Sequence, residues 1–300
     1  MVESGVRRLF VFGLGYVGLA FALALKAAGW KVAGTCRSQA RKLALLELGL
    51  EPFVFDGESG ESEIRRRLVS SNAILSAVPP GDAGDPVLIR YGMDIRNTSN
   101  SCWLGYLSTT GVYGDWGGGE VDETARLRAT SDRGIRRIAA ENSWFELAGK
   151  SGLQSHVFRL AGIYGPGRNV LDKIRAGTAQ RISKPGHVFS RIHVADIVSV
   201  LHASTLRPRT GAVYNVCDNE PCSQDQVVAY GCEILGETLP PLVRFEDIAG
   251  DMSAMARSFW FDRRRVSNRL IRDELKVDLQ FPTYREGLQS LVSETTGVTT

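Results

Sequence analysis

A glycine-rich motif follows the first apolar run of the chain. The run Arg8–Phe12 predicts a β-strand, and the residues after the motif predict a helix that ends at Gly29. Glycines at three positions allow a tight turn, the close approach of a pyrophosphate to the backbone, and the packing of the helix on the strand. The first N–H groups of that helix would face the phosphates. The order of strand, motif and helix therefore predicts a dinucleotide-binding turn that comprises Gly13, Gly15, Tyr16, Val17 and Gly18.

The end of the second predicted strand should distinguish NAD from NADP. An acidic side chain there binds the free hydroxyl of the adenosine ribose, whereas an arginine accommodates the 2′-phosphate. The segment 35–38 has no acid and contains Arg37, which is followed by Ser38. The sequence therefore favours NADP, with NAD as the alternative. The other predicted cofactor contacts are Asp56 at the adenine edge, and Ala77, Val78 and Pro79 along the ribose side.

The elements that must position these residues alternate between strand and helix. Strand-like runs near 30–36, 51–56 and 72–78 are separated by helical segments, which predicts an α/β fold with a doubly wound parallel sheet. The alternation loosens after Gly165. We therefore expect a dinucleotide-binding core at 1–165 and mainly a smaller C-terminal substrate lobe at 166–300, with segments near 188–216 returning to the core. A helix is predicted near 262–274, with the arginine run 263–265 on its solvent face.

The composition excludes several classes of protein. Of the 300 residues, 43% are hydrophobic and 23% are charged, which argues against a disordered or fibrous chain. A net charge of +3 is too small to indicate a nucleic-acid-binding surface. Five cysteines and four histidines form no spacing typical of a metal site, so no metal is predicted. Free thiols are typical of the reducing cytoplasm, where we expect this protein.

An uncharged stretch at 9–25 resembles a signal peptide or a short transmembrane span. A span needs about 20 apolar residues, and this stretch contains the three glycines of the motif. We therefore expect no membrane partner, and we expect a small molecule as substrate.

Four segments resemble a known family. LSTTGVYG (107–114), AAE (139–141), FRLAGIYGPGR (158–168) and FSRIHVADIV (189–198) are similar to the extended and atypical short-chain dehydrogenase/reductases, which include sugar-nucleotide epimerases and dehydratases. GLGYVG and VFSRIHVADI look most like the YeeZ-like branch of the atypical members. The resemblance covers residues 7 to 273. It implies a Rossmann core, a C-terminal substrate lobe and NAD(P) in the cleft.

The resemblance also implies a catalytic pair that this chain lacks. Members of the family use Tyr-x-x-x-Lys, in which the Tyr transfers the proton and the Lys lowers its pKa and holds the nicotinamide ribose. Aligned on the flanking segments, the pair falls on Arg133 and Arg137. Arg137 is expected to hold the ribose, but Arg133 cannot replace the Tyr because its guanidinium stays protonated. Thr109 matches the Ser or Thr that binds the reacting oxygen.

Another group must then carry the proton if this chain is an enzyme. The candidates are Tyr113, Tyr164 and His193, in segments that the family folds around the cleft, although each is also typical of a packing residue. Arg168 and Arg191 match positions where sugar-nucleotide members bind substrate phosphate. With Tyr164 as a further substrate contact, they predict an anionic or sugar-like substrate.

The sequence thus predicts an NAD(P)-dependent oxidoreductase or epimerase, as a monomer or homodimer. The motifs of serine hydrolases, zinc proteases and P-loop proteins are absent. The alternative is a catalytically silent NAD(P)-binding sensor, because such a protein would also have lost the Tyr and the Lys.

Overall fold

The computed structural model describes residues 6–57, 62–253, 256–257 and 259–296. Its strands are β1 (Arg8–Phe12), β2 (Lys31–Cys36), β3 (Glu51–Val54), β4 (Ala73–Ser76), β5 (Trp103–Thr109), β6 (Glu120–Val121), β7 (Gln154–Leu160), β8 (Gly162–Tyr164), β9 (Arg181–Ser183), β10 (Arg191–His193), β11 (Ala212–Val216), β12 (Leu242–Arg244) and β13 (Arg265–Val266). Its α-helices are α1 (Tyr16–Ala27), α2 (Gln39–Glu47), α3 (Ser62–Val69), α4 (Pro86–Arg96), α5 (Asp132–Ser151), α6 (Val170–Arg175), α7 (Val194–Leu206), α8 (Gln224–Leu235), α9 (Phe245–Ile248), α10 (Arg269–Asp273) and α11 (Tyr284–Thr296).

The largest sheet has seven strands in the order β11-β7-β5-β4-β1-β2-β3. The pairs β1–β2, β2–β3, β1–β4 and β4–β5 are parallel, so the predicted doubly wound α/β fold is confirmed. All four residues of β4 are buried, as expected of a strand with helices on both faces of its sheet. The strand order reverses direction between β1 and β4. Ligands of open α/β sheets bind beyond the carboxyl ends of the strands at such a switch point.

The described chain divides into two compact units that interleave along the sequence. The first contains described residues of Met1–Thr109 together with Asp132–Arg159 and Val198–Tyr214, and the second contains Thr110–Ser131, Leu160–Ile197 and described residues of Asn215–Thr300. The sequence analysis instead placed the main boundary near 165, with segments near 188–216 returning to the core, and it did not separate Thr110–Ser131 from the residues that precede it. The assignment of 166–300 mainly to substrate binding stays a prediction.

An aromatic cluster forms the core of the first unit. Phe10 and Phe12 of β1 lie 4.9 Å apart edge to face, and Phe12 also contacts Phe55 and Tyr91. All of these side chains are buried. Burial of such large apolar surfaces packs α4 against β1 and so stabilises the carboxyl edge at which β1 ends.

The predicted helix near 262–274 is wrong, because backbone groups that a helix would pair internally bind the glycine-rich loop after β5 instead. Arg265 N donates to Gly119 O at 3.0 Å, and Ser267 N donates to Val121 O at 2.8 Å, so β13 pairs with β6. Only Arg269–Asp273 is helical. The guanidinium of Arg264 is turned inward and donates to Gly114 O at 2.9 Å rather than lying on a solvent face.

No helix among the residues that the structure describes has both the length and the apolar character needed to cross a membrane.

Candidate functional site

Gly13 and Gly15 lie between β1 and α1, Gly18 lies in the first turn of α1, and the three glycines have different environments. Gly13 has φ +89°, in the left-handed region that favours glycine, so it makes the tight turn. A Cβ on Gly15 would meet nothing within 4 Å, which leaves the backbone open to a ligand. A Cβ on Gly18 would lie 2.2 Å from Gly13 O, so only glycine lets the helix pack this closely. These are the features that a pyrophosphate-binding turn requires.

The turn lies against the ends of two neighbouring strands. Gly13 N donates to Thr35 Oγ1 at 2.9 Å and Leu14 N donates to Thr35 O at 2.7 Å, which ties the turn to β2. On the other side, a Cβ on Gly13 would lie 3.3 Å from Val78 Cγ2 and 3.5 Å from Ala77 C, just after β4. Ala77 N continues the pairing of β4 by donating to Phe12 O. The motif therefore occupies the switch point of the sheet.

The end of β2 presents no carboxylate. Cys36 is buried, with Sγ 3.5 Å from Ser38 O and 3.6 Å from Phe53 O, and burial raises the pKa of its thiol. Arg37 is exposed. Ser38 caps α2, since its Oγ accepts from Arg41 N at 3.3 Å. Because the Cys36 side chain turns into the sheet, Arg37 and Ser38 provide the polar surface after this strand.

The remaining predicted cofactor residues lie near the carboxyl ends of the sheet strands or on α1. Asp56 is exposed after β3, Tyr16 is half-buried at the start of α1, and Val17 is buried in its first turn. Pro79 is exposed after β4.

Arg137 is buried and bound to β5. Its Nη1 donates to Leu107 O at 2.6 Å and to the Tyr106 hydroxyl at 3.0 Å. These contacts link α5 to the strand that ends at Thr109, which is half-buried. Arg133, one turn earlier on α5, is exposed. The structure thus brings Arg137 and the end of β5 together and leaves Arg133 at the surface, while the role of Arg137 in holding the nicotinamide ribose stays a prediction.

A buried network that the sequence analysis missed holds the same helix. Arg159 of β7 and Glu141 of α5 form an ion pair at 2.8 Å, with side chains 6% and 2% exposed, and Ser108 Oγ of β5 donates to Glu141. Since an unpaired buried charge is costly, the network fixes α5 against β5 and β7. The segment AAE contained Glu141, but its partners are distant in sequence and only the fold shows them.

The candidate proton donors all lie inside the second unit. The Tyr113 hydroxyl is buried and donates to Asn215 Oδ1 at 2.7 Å. Tyr164 packs against Gly287, where an added Cβ would lie 1.9 Å from Oη, and burial raises the pKa of Tyr164. His193 lies between the rings of Tyr164 and Phe281, and burial lowers its pKa to about 4. Each side chain thus has the environment of a packing residue, and a catalytic role for any of them stays a prediction.

A cleft of about 620 Å³ in the second unit brings Arg168 and Arg191 together. Lys173 also lines it, and Asp172 is the one acidic side chain among the described residues of the lining, so the wall carries more positive than negative groups. Asp172 is already bonded to Asn169 Nδ2 at 2.9 Å. The Arg191 guanidinium is held in place because Nη1 donates to Phe189 O and Cys222 O, both at 3.0 Å. An anionic group is the ligand that such a wall would favour.

Asp218, which lies beside this cleft wall, had no signal in the sequence analysis. Its carboxyl is 1% exposed, and Oδ2 has no hydrogen-bond partner among the residues described. Burial raises the pKa of Asp218 to about 8, although the nearby Arg191 opposes this rise. The sequence around Asp218 does not indicate that its side chain is buried, so only the structure identifies this residue.

Within the described residues, no three His, Cys, Asp or Glu side chains are grouped as metal ligands would be.

Comparisons with known proteins find relatives of similar length. No protein-family profile matches the chain. The structure of a functionally unknown conserved protein from Silicibacter pomeroyi DSS has 43% identity and a TM-score of 0.86, and the match covers 97% of this chain and 99% of that one. Protein YeeZ from Escherichia coli (strain K12) is 26% identical over 220 residues, which are 71% of this chain and 78% of YeeZ. A dTDP-glucose 4,6-dehydratase from Bacillus anthracis str. Ames, in complex with NAD, has a TM-score of 0.77 and 18% identity, with 98% and 97% of the two chains covered.

A doubly wound parallel sheet with a glycine turn at its switch point is the Rossmann arrangement of the NAD-dependent epimerase/dehydratase structures. The chain has this fold, and its resemblance to the YeeZ-like branch of the atypical short-chain dehydrogenase/reductases is confirmed. It belongs to the same family as the S. pomeroyi protein.

Proposed function

We propose that this chain is an NAD(P)-dependent oxidoreductase or epimerase. The observation that carries the proposal is the turn of Gly13, Gly15 and Gly18, which combines a left-handed residue, an open backbone and a close helix contact. The solved dehydratase with the same fold contains NAD, which supports a nicotinamide cofactor here. When bound, that cofactor supplies a hydride donor or acceptor.

The preference for NADP rests on the end of β2. Arg37 is exposed, and the buried thiol of Cys36 stands where an acid would repel the 2′-phosphate. The fork of donors on the guanidinium suits a phosphate, and the Ser38 hydroxyl and the N-terminus of α2 add further donors. Arg37 is therefore the residue that favours NADP.

The roles of the other cofactor-site residues follow from their positions. Arg137 keeps a positive charge at the position where the family has Lys, and its guanidinium is oriented by Leu107 O and Tyr106. Thr109, at the end of the same strand, would orient the reacting oxygen of a substrate. Neither residue supplies an acid, because neither the guanidinium of Arg137 nor the hydroxyl of Thr109 releases its proton near neutral pH.

The substrate is an anionic or sugar-like molecule whose charged group is held in the second unit's cleft. The support is the cluster of Arg168, Lys173 and Arg191 around a cavity of about 620 Å³, which is a common size for small-molecule sites.

The second candidate function is a silent NAD(P)-binding sensor, and one observation favours it. The two positions of the family's catalytic pair are occupied by Arg133, which is exposed, and by Arg137, which is bonded to β5. A protein that only binds the cofactor needs no proton donor. Turnover of a substrate separates the two functions.

Calorimetric titration of NADPH and NADH tests the cofactor assignment. A charge-assisted hydrogen bond contributes roughly 1.5–3 kcal/mol, so Arg37→Ala should weaken NADPH binding about tenfold to a hundredfold and leave NADH binding nearly unchanged. Arg90→Ala, an exposed arginine on α4, is the control. Tighter binding of NADH than NADPH by the unaltered protein would contradict the assignment.

The substrate proposal is tested by a turnover screen of sugar nucleotides and anionic ketones with either cofactor. For any substrate found, Arg168→Ala should raise KM about tenfold with little change in kcat, because it removes a binding contact only. Absence of turnover across the screen, together with intact cofactor binding, would favour the sensor instead.

A further inference from the structure

Thr35 is a buried side chain at the cofactor turn that the sequence analysis did not use. It lies on β2, 1% exposed, and its two oxygens accept from consecutive backbone donors of the turn. Oγ1 accepts from Gly13 N at 2.9 Å and the carbonyl O accepts from Leu14 N at 2.7 Å. The side chain therefore contacts the residue on which the geometry of the whole turn depends.

The turn needs an external restraint because of its composition. Gly13 has the largest backbone freedom of any residue type and is held here at φ +89°. Gly15, two residues further on, is the N-cap of α1 and has no side chain with which to cap it. The hydrogen bonds to β2 and the close contact with Gly18 are therefore important restraints on the conformation of the turn.

The approach of β2 to the turn is itself close. A Cβ on Gly34 would lie 2.5 Å from Val11 O and 3.0 Å from Leu14 Cγ, so only glycine at 34 lets the strand run this near. The next residue then reaches the turn with a short hydroxyl side chain. Gly34 thus allows β2 to approach the turn closely, and Thr35 makes the hydrogen bond to Gly13.

We propose that Thr35 is a positioning residue for cofactor binding. By taking the N–H groups of Gly13 and Leu14, it holds the turn so that the following N–H groups, from Gly15 into the first turn of α1, are the ones that meet the pyrophosphate. This inference rests on the proposed function. Thr35 does not touch the cofactor in this scheme; it lowers the conformational entropy that binding would otherwise have to remove.

Thr35→Val is the sharpest variant, because valine keeps the shape of threonine and removes the acceptor from Gly13 N. The Kd for NADPH should rise about fivefold to tenfold, as expected for the loss of one buried hydrogen bond at a binding loop. Thr35→Ser, which restores the hydroxyl, should bind within about twofold of the unaltered protein. The matched control is Thr98→Val, since Thr98 is also buried in the first unit and its hydroxyl donates to Ile95 O, at the end of α4.

Hydrogen exchange of the cofactor-free protein gives a readout that does not depend on binding. In Thr35→Val the amide of Gly13 should exchange at least tenfold faster, while the amides of β1 should be unchanged. Equal exchange, an equal Kd, or a Thr35→Ser variant that behaves like Thr35→Val would overturn the inference even if NADPH binds. If the unaltered protein binds neither dinucleotide, the proposed function fails, and the role of Thr35 in cofactor binding fails with it.

Discussion

At the scale of single residues, Arg137 keeps the positive charge of the family's lysine, but part of its hydrogen-bonding capacity is used by the protein itself. It retains a positive charge on the same helical turn, but its Nη1 is bonded to Leu107 O and to the Tyr106 hydroxyl. The guanidinium is therefore oriented by the protein before any ligand arrives. Arg133, one turn earlier on α5, has an exposed side chain.

The two arginines should respond differently to truncation. Arg137→Ala should lower the melting temperature and weaken NADPH binding about tenfold, since it removes the donor to β5 and the charge together. Arg133→Ala should leave the melting temperature nearly unchanged and alter the Kd for NADPH by less than about twofold. Thermal unfolding and calorimetric titration of both variants check this. Loss of turnover in Arg133→Ala with unchanged substrate affinity would show that the exposed arginine has a catalytic role.

How far the sequence predicts this site depends on the distance between interacting residues. The glycines, Arg37 and Ser38 lie in short segments whose order along the chain carries the signal. Thr35 and Asp218 had no such signal, because their roles depend on a partner from another strand or on burial. The hydrogen bond from Gly13 to Thr35 joins residues 22 positions apart.

At the scale of elements, the alternation of strands and helices was predictable because buried parallel strands are apolar runs and the intervening helices have clear ends. The structure confirms this pattern through β5. The incorrect prediction of a helix near 262–274 has a different origin. The backbone of 263–267 satisfies its hydrogen bonds on a loop more than 140 residues earlier, as in the bond from Arg263 N to Asp115 Oδ1. No local sequence pattern indicates a pairing between segments so far apart in the chain.

Helix α5 should depend on its buried ion pair far more than on its exposed one. Glu141→Gln leaves Arg159 buried without a counter-charge, so the free energy of unfolding should fall by about 3–5 kcal/mol. Glu146→Gln breaks the exposed pair with Lys150 on the same helix and should leave the free energy of unfolding nearly unchanged. Denaturant unfolding of both variants measures the difference. Equal effects would mean that the buried pair does not hold the helix.

At the scale of the whole molecule, buried titratable groups make stability depend on pH, and the large pKa shifts between about pH 4 and 8 belong to three histidines and Asp218. Burial lowers the pKa of His156, His187 and His193 to about 4. The unfolded chain therefore binds more protons than the folded one between about pH 4 and 6.5, and stability is lost as the pH falls through this range. The pKa of Asp218 is raised to about 8, so the folded chain holds its proton longer, and stability is lost as the pH rises from about 4 to 8.

Burial also raises the pKa of Asp85 and Asp196, which oppose the histidines at acid pH. Above about pH 6.5 the histidines are neutral in both states, so stability should decline from there to about pH 8 as Asp218 titrates. Asp218→Asn should remove the decline on the alkaline side, raising the melting temperature at pH 8 by ~2–4 °C, with a smaller difference at pH 6. Asp82→Asn, at a largely exposed carboxyl, is the control. Thermal scans that show the same shift at both pH values would contradict a titration of Asp218.

The turn at Gly15 is expected to bind a nicotinamide dinucleotide, and calorimetric titration of NADPH measures that binding. Gly15→Val places a branched side chain in the open space beside the backbone and should raise the Kd at least a hundredfold, with the melting temperature of the free protein nearly unchanged. Gly149→Val, at another glycine whose Cβ would meet nothing within 4 Å, should bind like the unaltered protein. Equal NADPH affinity in the unaltered protein and in Gly15→Val would contradict the account.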